Sequence, residues 1–183
     1  MPPLEERLQA LPNDDSPELD HLIANVQANQ KRDVPVLIQL WQAGPPPVAR
    51  RAGLVLSALE PDGAALLTAS PLPRGLDERL FLVRLLRSQR LTRSRSALKE
   101  RLTTLLGDRT PVPTPTLPGP APEEKIPPHR LCDEAYLAAL HQRFGFPKIH
   151  DGQEWLLEKE FLAKSDRDKD QTIADLRKSG AFR

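Results

Sequence analysis

Three sets of side chains in this 183-residue chain have the types and spacing to do chemistry: a run of arginines, three aspartates at alternate positions, and four histidines. Asp166, Asp168 and Asp170, followed by Ile173, follow the opening of a calcium loop after a helix. Gln171 stands where the sharp-turn glycine belongs, and Arg177 where a bidentate glutamate is required. The three acids therefore read as a charged helix start, where carboxylates meet the positive end of the helix dipole. His21, His129, His141 and His150 fall at no nucleophile–base spacing and form no metal-ligand pair on one helix, so they read as surface or capping residues. Cys132 is the single cysteine, which excludes an internal disulfide and a multi-cysteine metal site, and its place on an apolar stripe predicts a buried packing role. The expectation is a protein without metal or cofactor, and not an enzyme.

The arginine run remains. From Arg74 to Arg101 nine basic residues (Arg74, Arg79, Arg84, Arg87, Arg90, Arg93, Arg95, Lys99, Arg101) face three acidic ones, although the formal net charge of the whole chain is only +1. The first twenty residues are the reverse, with Glu5, Glu6, Asp14, Asp15, Glu18 and Asp20 against Arg7 alone.

The elements that must position these residues are helical. Leu and Ala outnumber β-branched residues and aromatics are 4%, which predicts an all-α protein. The strongest segment is 127–146, PPHRLCDEAYLAALHQRFGF. Leu131, Cys132, Ala135, Tyr136, Ala139 and Leu140 share one helical face, and Arg130, Glu134 and His141 the other. Pro127 and Pro128 are expected to start this helix and Gly145 to lie past its end.

Taken in order, residues 3–11 predict a short helix. Asp14, Asp15 and Ser16 are capping candidates for a stripe of Leu19, Leu22, Ile23 and Val26. Asp33 is expected to cap a helix carrying Val34, Leu37, Ile38 and Trp41 and ending at Gly44, before a three-proline corner and a helix carrying Val48, Ala52, Val55, Leu56 and Leu59. Further helices are expected over Ala64 to Thr68, Leu76 to Arg87 and Leu98 to Leu106. Trp155, Leu156, Phe161 and Leu162 predict a helix covering the open end of the stack, and Ile173 and Leu176 a short helix in a charged tail.

The pattern Val48, Arg50, Arg51, Ala52, Leu56 and Leu59 after a leucine helix and a proline corner resembles a HEAT repeat. The order LLGDRTPVP, HRLCDEAYLAAL, FGF and a later Trp155 resembles the closing repeat of bacterial HEAT-like proteins. Gly44 and three prolines replace the Asp usual before the corner proline, and the repeats are unequal in length. The resemblance, over roughly residues 33–162, implies a small right-handed α-solenoid of HEAT-like hairpins. Residues 1–32 would be capping helices, 108–128 a proline-rich loop and 163–183 a charged tail. In such stacks the second helices line the concave face, which implies that Arg50, Arg84, Arg87, Arg130, Glu134 and His141 form a partner-binding surface. The competing reading is a solvated arginine face. The expected function is a non-enzymatic protein-interaction or scaffold module for an acidic protein or peptide. The alternative is a nucleic-acid-binding repeat protein using residues 74–101.

The proline-rich loop holds eight prolines from Pro111 to Pro128. It reads either as an extended connector or as a docking ligand for a proline-recognising partner. The acidic amino end and the lack of a roughly 20-residue apolar run predict no membrane partner and a cytoplasmic protein, and no small-molecule substrate is evident.

Overall fold

The structure, a computed structural model, describes residues 2–60, 62–88, 91, 95–113, 129–146, 150 and 153–182. Among these the chain is all-α, with ten helices: α1 (Leu4–Gln9), α2 (Pro17–Ala28), α3 (Gln30–Ala43), α4 (Pro46–Ala58), α5 (Gly63–Ala69), α6 (Leu76–Ser88), α7 (Arg95–Leu105), α8 (Leu131–His141), α9 (Glu154–Leu162) and α10 (Asp166–Lys178). No helix among the described residues is long and apolar enough to cross a membrane. Arg90 and Arg93 of the basic run, Pro127 and Pro128, and residues 114–128 of the proline-rich loop lie outside the described residues.

The chain divides into two compact units, the first comprising residues 1–85 and 91–98, the second residues 86–90 and 99–183. In the first, Ser16 caps α2 by accepting from the Leu19 N–H at 3.3 Å, and Pro17 occupies the first helical position, where its missing N–H has no bond to lose. Gly44 and Pro45 alone separate α3 from α4, making a helical hairpin with α1, α2 and α5 packed against α4. Trp41 of α3 lies fully buried, its six-membered ring against Gly53 of α4 and in an edge arrangement with Phe81 of α6, with centroids 6.0 Å apart. A Cβ on residue 53 would stand 2.5 Å from Trp41 Cζ3, so only glycine admits the ring there.

Asp33 does not cap α3. The helix begins at Gln30 with Asn29 as its N-cap, because Asn29 alone separates it from α2 and the chain re-enters helix within one residue. Asp33, now inside the helix, takes a two-point contact from its neighbour instead: Arg32 Nε and Nη2 donate to its oxygens at 2.7 and 3.0 Å.

In the second unit α8 is central, with α9 and α10 packed on it. It is buried at every position from Leu131 to Leu140, not on one face as its apolar spacing predicts. Asp133 and Glu134 can lie inside because arginines meet both carboxylates. The ends of the proline-rich loop are tied in front of α8 by an antiparallel bridge between Pro111 and Arg130. In it Val112 N donates to His129 O at 2.8 Å and Leu131 N to Thr110 O at 2.9 Å. Gly145, at φ +88°, turns the chain after α8.

α9 does not present its apolar residues as the cap expected of it. Phe161 is buried and stacks on Tyr136 with centroids 4.0 Å apart, whereas Trp155 is 63% and Leu156 50% exposed. The turn of α9 that faces α8 carries Glu154 and Glu158, so ion pairs rather than Trp155 dock it. The short helix expected around Ile173 and Leu176 in the charged tail 163–183 is α10, which runs for 13 residues. Ser165 caps it by accepting from Asp168 N at 3.3 Å, and Lys169, Ile173 and Leu176 are buried along it.

Candidate functional site

The six residues expected on one binding surface fall into three places. Arg87, Glu134 and His141 do come together in the second unit, around a residue outside that set, Glu158. Arg87 donates from Nη1 to Glu134 Oε2 at 3.4 Å and pairs through Nη2 with Glu158. The other Glu158 oxygen meets His141 Nε2 at 2.9 Å. Four charged or titratable groups from α6, α8 and α9 thus neutralise one another, and Arg87 is half-buried rather than open to a partner. One signal in the sequence points to Glu158. It follows Glu154 by four positions, so the two acids share a face of α9, and Glu154 in turn accepts from Arg143 Nε and Nη2 at 3.1 and 2.9 Å.

Arg130 lies in a second network of the same unit. Its Nε and Nη2 donate to the two oxygens of fully buried Asp133 at 3.1 and 2.8 Å, and its Nη1 to Asp170 Oδ1 at 2.7 Å. Asp133 also accepts from the Arg130 backbone N–H at 3.1 Å, capping α8. The Asp133 hydrogen bonds hold the Arg130 guanidinium more firmly protonated than usual. Asp170, one of the three acids in the calcium-like spacing, is paired with Arg130 and with Arg109 Nη2 at 3.2 Å. Beside this network a shallow cavity of about 90 Å³ is lined by Cys132, Leu106, Asp170, Ile173 and Arg177, among others. Burial, with the Asp133 charge beside it, pushes the Cys132 thiol up to about 11, so it is protonated and unreactive at neutral pH. Among the described residues no group of three or more His, Cys, Asp or Glu is placed to hold a metal ion.

Arg50 and Arg84 belong to the first unit. Arg50, with its side chain 59% exposed, pairs with Asp14 at 3.0 Å. Arg51 pairs with the same carboxylate at 3.1 Å and donates to the carbonyls of Leu8 and Gln9, bracing the end of α1. Arg84 is exposed on α6 and makes no ion pair among the described residues. Two adjacent cavities border this part of the unit and share Pro46 and Glu78. One of about 330 Å³ is lined also by Asp14, Pro47, Arg50, Arg51 and Asp77. The other, of about 240 Å³, is lined by the end of α3, Ala49 and the stretch Pro73 to Gly75. The buried carboxylate of Glu78 is not visible in the arginine pattern.

No family model, curated protein or solved structure matches the chain.

Proposed function

We propose that the chain is a non-enzymatic interaction module of HEAT-like helical hairpins, of the α-solenoid type, that binds an acidic protein or peptide through arginines of the first unit. The observation that carries this reading is the contrast between Arg84, exposed and without an ion pair among the described residues, and Arg87, Arg130 and Arg143 of the second unit, each of which meets a carboxylate. Arginine suits such a role because its planar fork binds a carboxylate at two points while its stem packs on neighbours. The α3–α4 hairpin with its proline corner, carrying Arg50 and Arg51 at the start of its second helix, supports the HEAT-like part. Arg87, Arg130, Glu134 and His141 are left out of this surface, since each has its partner inside the second unit.

The test uses a fluorescent poly-glutamate peptide and a duplex DNA of similar charge, titrated against the wild type and Arg84→Glu. Saturable peptide binding that weakens at least tenfold in Arg84→Glu, with helicity and Tm unchanged, is the expected result. Binding of the DNA alone, with a steep loss between low and moderate salt, would replace this reading by nucleic-acid recognition. Indifference of both ligands to the substitution would leave Arg84 as a solvated side chain.

A further inference from the structure

Three consecutive prolines follow α3, and their effect falls on the end of that helix. In a continuing helix the carbonyls of Trp41, Gln42 and Ala43 would accept from the N–H groups of residues 45, 46 and 47. All three of those are proline, which has no N–H. Among the described residues only Leu40 O of the last four carbonyls is taken, by Gly44 N at 2.8 Å. The negative end of the helix dipole is thus left without its ordinary donors, and residues 41–43 line the 240 Å³ cavity.

Glu78 makes an independent case at the same place. It is 4% exposed, yet it makes no hydrogen bond or ion pair with any described residue. Its carboxylate folds over Gly75, where any Cβ would collide with Oε2. Glu78 borders both cavities. A buried carboxylate and a donorless helix terminus converging on one space are complementary to a cation rich in N–H donors. The neighbouring arginines do not supply it: Arg50 and Arg51 are both engaged by Asp14, and Arg74 stands exposed at the rim without pairing to Glu78.

We propose that this cavity is a binding site for a guanidinium group, the side chain of an arginine on a partner peptide, with Glu78 as its carboxylate and the terminal carbonyls of α3 as its further acceptors. A bare metal ion does not need so large a space, whereas a planar guanidinium carries five donors and stacks on flat walls such as Pro46 and Pro73. The site is independent of the arginine surface described above, since it takes a charge of the opposite sign.

Trp41 borders the cavity, and replacing the exposed Trp155 by Phe leaves it as the only tryptophan reporter. The full-length Trp155→Phe protein is titrated with N-acetylarginine amide, with its neutral counterpart N-acetylcitrulline amide, and with calcium chloride. Saturable binding of the arginine derivative alone is expected, weakened at least tenfold by Glu78→Gln with the circular dichroism spectrum unchanged. Should Glu78→Gln fail to fold, Pro46→Ala serves instead: it removes one of the flat walls on which the guanidinium would stack, so it should weaken binding several-fold. Arg74→Ala should preserve or strengthen binding by removing a competing cation. An equal response to citrulline, displacement by calcium at lower concentration than arginine, binding indifferent to both Glu78→Gln and Pro46→Ala, or loss of binding in Arg74→Ala would each overturn the assignment.

Discussion

Lys169 Nζ sits 5.9 Å from the centroid of the Phe161 ring, fully enclosed, with no hydrogen-bond partner among the described residues. The ring face offers some electrostatic compensation, but far less than a carboxylate or water would. Lys169 lies one turn before Ile173 on the buried side of α10, so a side chain of similar length without charge fits the same path. Lys169→Met is therefore expected to raise stability by about 1 to 3 kcal/mol, read as a higher urea midpoint at unchanged m-value. A lower midpoint would mean that the ammonium has a partner of real worth.

Leu56 in α4 and Leu140 in α8 are both fully enclosed, one in each unit. Truncation removes the transfer free energy of the side chain and leaves a cavity, so Leu56→Ala and Leu140→Ala should each cost roughly 2 to 5 kcal/mol. Because they lie in separate compact units, differential scanning calorimetry should show each substitution lowering the unfolding of its own unit. An unshifted transition for either would remove that leucine from its core.

The helices were legible because their apolar spacing and caps are local. Ser16, Pro17, Gly44 and the stripe of Leu19, Leu22 and Val26 all act where they stand in the sequence. Asp33 was misplaced because α3 starts at Gln30, one residue after α2 ends and without a side-chain cap, the Asn29 amide donating back to Asn25 O instead. What could not be read is which polar residues meet inside. Glu134 sits on the polar face of α8 by periodicity, yet its partner Arg87 is 47 residues away and Glu158 lies further along the chain. Periodicity distinguishes polar from apolar faces but not a solvated charge from a paired one, so α8 looked amphipathic although it is enclosed throughout. For the same reason Arg84 and Arg87, one turn apart on α6, looked equivalent and are not.

The Arg87, Glu158 and His141 arrangement is expected to act as a coupled unit. Glu158→Ala leaves Arg87 with the longer Glu134 contact alone and takes the partner from His141, which should cost about 1 to 3 kcal/mol for partly buried, charge-assisted bonds. A double-mutant cycle of Arg87→Ala with Glu158→Ala should give a coupling energy of about 0.5 to 3 kcal/mol. Strict additivity would show that the ion pair contributes nothing in solution.

Cys132 is enclosed beside Asp133, and its thiol titrates far above neutral pH. Native-state labelling by a thiol reagent at pH 8 should therefore be slow and limited by local opening of the elements around α8, while denatured protein labels at the rate of a free thiol. Lys169→Met, if it tightens α10, should slow native labelling further. Immediate labelling of native protein would show that the thiol is already open to solvent.

Asp33 supplies the pH dependence that can be assigned to one pair. The hydrogen bonds from Arg32 hold its carboxyl below the ordinary range, aided by the charges of Arg32 and, more weakly, Arg7, and burial opposes them without prevailing. With the folded pKa below the unfolded value of roughly 3.9, the unfolded chain binds the proton first as pH falls. The pair therefore contributes its full stabilisation above about pH 4 and loses it as pH drops through the folded pKa. Arg32→Ala removes the main cause of the depression, so the gap in urea midpoint between wild type and variant should be largest at pH 7 and close at acid pH, as Asp33 is protonated through its folded pKa. Arg32 is largely exposed, so salt should also narrow the gap at pH 7. A gap of equal size at both pH values would show that Arg32 stabilises α3 through its aliphatic stem or helix propensity, and not through Asp33.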